Sequence, residues 1–180
     1  REMSIEPVRI LGIDPGSRIT GYGILEVRGN RFVCLSHGCI RTQHETLAHR
    51  LKHIHLGIAE LIENHTPTEL AIESVFVHRN VDSALKLGQA RGSAISCAAL
   101  HALAVSEYSP AEIKKAVVGR GNAAKAQVQH MVNAILKLNK SLQPDAADAL
   151  AVAICHGHNR NSLTRHLPVR SSRRHRWKSL

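Results

Sequence analysis

Acidic side chains stand at points of the chain where a purely structural role is hard to assign. Asp14 ends one apolar, strand-like run and Glu73 ends another. Asp145 and Asp148 are spaced i and i+3 near a helix start, so they project from one helix face. An isolated charge at the edge of an apolar core is costly, so it must be paired, protonated or bound to a cation.

The chemistry that these four carboxylates favour is the binding of hard divalent cations. Mg²⁺ prefers carboxylate oxygens and retained waters. Two such ions about 3.5–4 Å apart can activate water and stabilise the leaving oxygen of a phosphodiester. Three of the four also have an ordinary interpretation: Asp145 and Asp148 would complement a helix dipole, and Asp14 would form a turn. Asp82 is interpreted only as a helix N-cap.

The elements that must position these acids follow from hydrophobic periodicity and turn residues. Strands are predicted at 8–14, 20–27, 31–41, 70–72 and 105–108, with a hairpin turn at 28–30. Helices are predicted from Leu47 to about 64, over 83–104, from Pro110, after the turn at 119–122, and from Pro144 to about Ile154. Ser109 is the predicted N-cap of the third helix. The order predicts a mixed α/β domain.

The positive charge is unevenly distributed. The chain has 24 Lys and Arg against 14 Asp and Glu, a net charge of +10. Residues 159–180 hold seven of the basic residues and no acid, so residues 1–158 carry a net charge of only +3. We predict one globular domain over 1–158 and a disordered basic tail over 159–180. The charge favours a polyanionic partner, either nucleic acid or an acidic membrane surface.

Several other classes of protein are disfavoured. No apolar run approaches the roughly 18–20 residues that span a bilayer. We therefore expect no signal peptide, no membrane-spanning helix and no membrane partner. Four scattered cysteines without a CxxC pair indicate reduced thiols in a cytoplasmic protein. The segment Cys155-His156-Gly157-His158 is interpreted as the end of the last helix rather than as a metal site.

Five segments together resemble the RuvC family of Holliday junction resolvases, in the ribonuclease H-like superfamily, over residues 9 to about 156. They are Gly12-Ile13-Asp14-Pro15-Gly16-Ser17-Arg18, Thr20-Gly21-Tyr22-Gly23, Ile72-Glu73-Ser74-Val75-Phe76, Ser83-Ala84-Leu85-Lys86-Leu87-Gly88-Gln89-Ala90-Arg91-Gly92 and Asp145-Ala146-Ala147-Asp148-Ala149-Leu150-Ala151. The resemblance implies a ribonuclease H-like mixed five-stranded sheet flanked by helices.

The resemblance also implies a function. The metal-binding acids of the family map onto Asp14, Glu73, Asp145 and Asp148, with two Mg²⁺ ions per subunit and Mn²⁺ as a substitute. The implied protein is a homodimer that nicks two opposing strands of a four-way DNA junction during recombination and repair. A partnership with a branch-migration motor is implied as well. The small residues of the helix over 83–104 independently favour close packing, against the sheet or against a second copy.

Candidate DNA-binding residues surround the carboxylates along the chain. The resemblance assigns base stacking to Phe76 and places Lys114 and Lys125 near the scissile phosphate; Lys125 also begins a helix, where an anion is favoured. Arg79 and Arg18 are candidate phosphate contacts. The alternatives are an aromatic ring tucked onto the core for Phe76 and exposed, solvated charges for the basic residues.

Two rival functions remain at this point. An actin-like ATPase or sugar kinase shares the strand followed by Asp-x-Gly, but it needs a second, similar domain, for which 180 residues leave no room. A basic DNA-binding protein without nuclease activity would bind junctions and cut none.

Overall fold

The computed structural model describes residues 7–43, 46–74, 80–139 and 141–163. The strands in these residues are β1 (Val8–Asp14), β2 (Ile19–Arg28), β3 (Arg31–Arg41), β4 (Glu69–Glu73) and β5 (Ala104–Tyr108). The helices are α1 (Leu47–His65), α2 (Val81–Leu100), α3 (Pro110–Val118), α4 (Lys125–Leu136) and α5 (Pro144–Leu163). The predicted order of strands and helices is confirmed.

The strands form one five-stranded sheet in the order β3-β2-β1-β4-β5. β1, β2 and β3 pair antiparallel, and Gly29 adopts a φ of 59° in the turn between β2 and β3. β4 pairs parallel with β1, and β5 pairs parallel with β4. The sheet is therefore mixed, as the sequence resemblance implied, and the carboxyl ends of β1, β4 and β5 meet at one edge.

Local signals fix where the helices begin. Ser109 caps α3 in a full capping box with Glu112, which confirms the predicted start. The start of α2 differs from the prediction: Asn80, not Asp82, is the N-cap, and its side chain accepts from the amide of Ser83. Asp82 lies in the first turn and pairs with Lys86 at 2.6 Å.

Helices cover both faces of the sheet and create two separate hydrophobic clusters. On one face, α3, α4 and α5 pack through residues such as Val132, Leu150 and Ile154. On the other face, α1 and α2 pack through Ile54, Ile58 and several alanines. Burial of these aliphatic side chains on both sides of the sheet is the main source of stability.

Helix α5 packs more closely on the sheet than ordinary side chains would permit. A Cβ atom at Gly12 would overlap the carbonyl oxygen of Ala149, and one at Gly21 would overlap the carbonyl oxygen of Asp145. Because glycine has no Cβ, the first two turns of α5 can lie directly on β1 and β2. This contact sets the distance between the helix start and the strand ends.

The same helix is longer than the sequence indicated. It continues to Leu163 instead of ending near Ile154, so residues 159–163 of the predicted tail are helical. His156 is not at a helix end: it is buried in mid-helix, where its ring nitrogens bond the Tyr108 hydroxyl and Glu69, each at 2.7 Å. Arg160 also binds Glu69, so these polar partners replace the predicted C-cap.

None of the described helices combines the length and the apolar character needed to cross a membrane.

Candidate active site

Asp14 and Glu73 lie side by side because their strands are parallel neighbours. Ile13 pairs with Ile72, so the two following carboxylates leave the sheet at the same edge. The carbonyl of Tyr108 accepts from both the amide and the hydroxyl of Ser74, which extends the β4–β5 pairing just past Glu73. These bonds fix the backbone of the two strand-end acids.

Asp145 and Asp148 reach the same edge from above the sheet. Gly21 is the cross-strand partner of Asp14, and the backbone of Asp145 packs directly on Gly21. Asp145 must therefore lie close to Asp14, and Asp148 follows one turn later on the same helix face. The two acid pairs come together because α5 starts on the glycine opposite Asp14.

The electrostatics of Asp14 show how crowded these acids are. Burial raises the pKa of Asp14 to about 7, and the charges of Asp148, Glu73 and Asp145 push it in the same direction. The pKa of Glu73 is raised too, first by burial and then by the charge of Asp148. The charges of Lys125 and Lys114 partly offset this rise in the pKa of Glu73. Like charges that raise one another's pKa favour a bound cation or proton.

Two lysines face the acids. The Lys125 Nζ donates to Asp148 Oδ2 at 2.5 Å, and this hydrogen bond raises the lysine's own pKa. Glu73, Lys114, Lys125 and Asp148 share a cleft of about 260 Å³ between α3, α4 and α5. We refer to the region formed by Asp14, Glu73, Asp145, Asp148, Lys114 and Lys125 as the carboxylate cleft.

The donor set of the carboxylate cleft fits a hard cation. Its acids offer only oxygen ligands, which suit Mg²⁺ better than a soft metal. Among the side chains that the structure describes, no three acidic, histidine or cysteine groups converge closely enough to hold one ion as they stand. Asp148 Oδ2 is bound to Lys125, so a cation that used this oxygen would compete with the lysine.

Arg18 is not in the carboxylate cleft. It lies beyond the turn after β1, in a pocket of about 300 Å³ at the start of α2. We call this the arginine pocket; it is lined by Ser17, Arg18, Arg50, Asp82, Ser83, Lys86 and Leu87. Since α1 and α2 cover the face of the sheet opposite α5, the pocket and the cleft lie on different faces.

The predicted DNA-binding residues Phe76 and Arg79 lie outside the described residues. They belong to the connection between Glu73 and the N-cap of α2, Asn80.

Sequence reasoning missed Arg50 and the role of Gly21. Arg50 is buried in line with Ile54, Ile58 and Ile62 on α1. The signal was available, because a charged residue at a position of an apolar stripe at helical spacing is unusual. Gly21 is the contact point of α5, a role that no local pattern around it indicated.

Comparison with known proteins places this arrangement in a family. The family model described as crossover junction endodeoxyribonuclease RuvC matches residues 10–156. The enzyme of that name from Hahella chejuensis is 54% identical over 171 residues, which cover 95% of this chain and 99% of that protein.

Two solved structures have the same fold. RuvC of Thermus thermophilus, in complex with a Holliday junction substrate, superimposes with a TM-score of 0.82 at 32% identity, covering 87% of this chain and 97% of that one. The yeast mitochondrial Holliday junction resolvase, at 11% identity, a TM-score of 0.66 and coverage of 88% and 81%, shares the fold alone. The chain belongs to the RuvC family of crossover junction endodeoxyribonucleases, and its fold is ribonuclease H-like.

Proposed function

We propose that this nuclease resolves four-way DNA junctions by paired, symmetric nicks that depend on Mg²⁺. The observation that carries the proposal is the convergence of four carboxylates and Lys125 at one sheet edge, in a chain of the RuvC family. The burial and the mutual repulsion of these acids, expressed in the pKa of about 7 for Asp14, favour cations in the cleft.

In this proposal Asp14, Glu73, Asp145 and Asp148 hold two ions per subunit, Mg²⁺ or in its place Mn²⁺. When bound, such ions supply an activated water and a Lewis acid for the departing oxygen. The carboxylates orient the site and, once ionised, keep it from binding a phosphate unless cations are present. Lys125 and Lys114 neutralise the charge of the scissile phosphate, and Lys125 exchanges its carboxylate partner Asp148 for that phosphate.

The direct experiment is cleavage of a synthetic mobile junction, scored for nicks at symmetric positions in opposing strands. The Asp14→Asn protein should bind this junction with an affinity close to that of the unmutated protein and should cut it at least about a thousandfold more slowly. Glu63→Gln is the matched control, because it removes an exposed acid from α1 and should cut normally. Mg²⁺-dependent cutting by Asp14→Asn would refute the assignment of the acids, and binding without cutting by unmutated protein would favour a DNA-binding role.

We infer that the enzyme works as a homodimer through the outer face of α2. Val81, Leu85 and Leu100 are exposed apolar side chains on this helix. A Cβ at Gly88 or Gly92 would meet no atom of the chain within 4 Å, so nothing in the described part of the subunit requires these glycines. Small and apolar residues on one helix face allow close approach of a second helix.

Sedimentation equilibrium of two leucine variants tests the dimer. Leu85→Glu, on the proposed interface, should shift the protein towards monomer. Leu56→Glu replaces a comparably exposed leucine on α1 and should leave the association unchanged. Equal association of the unmutated protein and Leu85→Glu would exclude this face.

The contacts outside the described residues remain part of the proposal. Phe76 would stack on a base, which is worth about 1–3 kcal/mol, and Arg79 would contact the DNA backbone nearby. The basic segment 159–180, beyond the nuclease domain over 1–158, would add salt-sensitive attraction to DNA. Phe76→Ala should weaken cleavage, and removal of residues 164–180 should lower junction affinity mainly at low salt.

Two wider expectations concern the protein partner and the cellular location of the enzyme. A branch-migration motor as partner is proposed from the family resemblance. A cytoplasmic location is supported by four cysteines that are all free thiols. Co-sedimentation of the protein with a motor–junction complex tests the first expectation, and cell fractionation tests the second.

A further inference from the structure

Arg50 is a buried arginine that has no counter-ion in the part of the chain that the structure describes. Its residue is only 8% exposed, and its Nε is a buried nitrogen without a hydrogen-bond partner. Among the residues that the structure describes, no carboxylate forms an ion pair with it. An unpaired buried cation with an unsatisfied donor destabilises a fold, so its presence indicates a partner from outside the chain.

The walls of the arginine pocket show what that partner is. Arg18 and Lys86 line the same pocket as Arg50, which brings three cations together from three distant parts of the chain. Asp82, the one acid among the described residues of the wall, is already bound to Lys86 at 2.6 Å and is largely exposed. The wall therefore carries a positive excess that a compact anion would neutralise.

The start of α2 adds to this preference. Asp82 and Ser83 in the pocket wall belong to the first turn of a 20-residue helix, whose N-terminal dipole favours negative charge. A planar guanidinium and backbone amides at a helix start are a recurrent combination for binding phosphate.

We propose that the arginine pocket binds a backbone phosphate of the junction DNA, with Arg50 as its anchor. The pocket opens near the carboxylate edge, because the turn that holds Ser17 and Arg18 follows Asp14 and α2 begins eight residues after Glu73. It lies on the opposite face of the sheet from the cleft, so it takes a different phosphate from the scissile one. This inference rests on the proposed junction substrate.

Arg50→Met tests the pocket, with Lys52→Met as the matched control. Both changes remove one positive charge from α1, but Lys52 is exposed and lies outside the pocket. We expect Arg50→Met to weaken junction binding about tenfold and to lower the slope of log affinity against log salt by about one. Lys52→Met should stay within about twofold of the unmutated protein. Equal affinities for the two variants would overturn the proposal.

Thermal unfolding separates ligand binding from a structural role of Arg50. If the arginine serves a ligand, Arg50→Met should melt at the same temperature as the unmutated protein or higher, because a buried unpaired charge is removed. Added inorganic phosphate at constant ionic strength should stabilise the unmutated protein and not Arg50→Met. A clear loss of thermal stability in Arg50→Met without added phosphate would assign Arg50 to the core and contradict the proposal.

Arg18→Gln, on the exposed part of the pocket, guards against misfolding of the buried variant. Its loss of junction affinity should be smaller than that of Arg50→Met and should not add fully to it, because both side chains hold one phosphate. Loss of stabilisation by phosphate with unchanged junction affinity would identify a pocket for free anions and refute the DNA contact. If the unmutated protein binds the junction through Arg50 but does not cut it, the proposed nuclease mechanism is refuted and the phosphate contact is not.

Discussion

The carboxylate cleft and the arginine pocket are opposite solutions at one edge of the sheet. The cleft gathers four acids against two lysines, so burial and repulsion raise the pKa of Asp14 to about 7. Among the described residues, the pocket gathers three cations against one acid, and the buried Arg50 Nε has no hydrogen-bond partner there. Each region has an excess of one sign of charge, which a ligand of the opposite sign would neutralise.

The opposite charges of the cleft and the pocket indicate how a protein of modest net charge can select a nucleic acid. A net charge of +10 says little about the surface when residues 159–180 hold seven of the basic side chains. Among the described residues, four acids gather on the α5 side of the sheet and three cations gather on the α1 and α2 side; we have proposed metal ions as the partners of the first group and a phosphate as the partner of the second. A DNA substrate with its ions would satisfy both regions at once.

The largest expected effect on cleavage comes from moving the start of α5. The position of this helix start matters for the carboxylate cleft and not for the arginine pocket. In Gly21→Ala the new Cβ would overlap the backbone of Asp145, so the helix must shift. We expect cleavage to fall about a hundredfold, as for other displacements of catalytic groups by an ångström. Junction binding should change only a few-fold, because the arginine pocket is untouched.

The matched control for this change is Gly121→Ala, whose nearest atom would be 3.4 Å from the new Cβ, an ordinary contact. It should cut and melt like the unmutated protein. Equal cleavage by Gly21→Ala and Gly121→Ala would show that the close packing of α5 is unimportant for the cleft.

Lys125→Met should separate catalysis from binding. Loss of the charge that faces the phosphate should lower the rate at saturating junction by about 10–100-fold. It also frees Asp148 for ions, so the Mg²⁺ concentration for half-maximal cutting should fall. Arg50→Met should show the reverse pattern, weaker binding with a smaller change in that rate. Lys115→Met, an exposed lysine on α3, is the control; an equal loss in Lys115→Met would deny Lys125 a specific role.

Breaking the contacts of Glu69 with the C-terminal half of α5 should lower thermal stability by an intermediate amount that depends on pH. Burial alone would raise the pKa of Glu69, but hydrogen bonds from His156 and Arg160 and their charge lower it to about 2. Because the folded value lies below the ordinary 4.5, this carboxylate stabilises the fold above pH 4.5 and loses that contribution as the pH falls towards 2.

Glu69→Gln should therefore melt about 3–6 °C lower than the unmutated protein near neutral pH. The gap in melting temperature should narrow as the pH is lowered from 6 to 3. Junction affinity should change little, because Glu69 lines neither the carboxylate cleft nor the arginine pocket. A gap that is constant with pH would mean that the charge of Glu69 is unimportant.

The smallest expected effect has the opposite sign. Asp82→Asn removes the only acid among the described wall residues of the arginine pocket, so junction binding should tighten about twofold to threefold. Glu63→Gln removes an acid far along α1 and should tighten binding less. Weaker binding by Asp82→Asn in a filter or fluorescence assay would argue against a phosphate in the pocket.

The order of the elements, and the position of the four acids at two strand ends and one helix start, could be predicted because these signals are local. Apolar runs, turn residues and Ser109-Pro110 with Glu112 act over a few residues, and the structure confirms the elements they predict. Errors occurred where a distant partner overrides a local signal. Gly157 resembles a helix C-cap, yet His156 is bound to Tyr108 and Glu69, and the helix continues.

The amino-acid sequence by itself determined which chemistry is available: oxygen ligands at two strand ends and one helix start, and glycines where α5 must approach. Only the tertiary structure decided which of these groups lie next to one another. It placed Arg18 with Arg50 rather than with Asp14, and it joined Lys125 to Asp148. The physical reason is that charge pairing depends on which sheet face each helix covers, and strand order and close packing set that face rather than any local pattern.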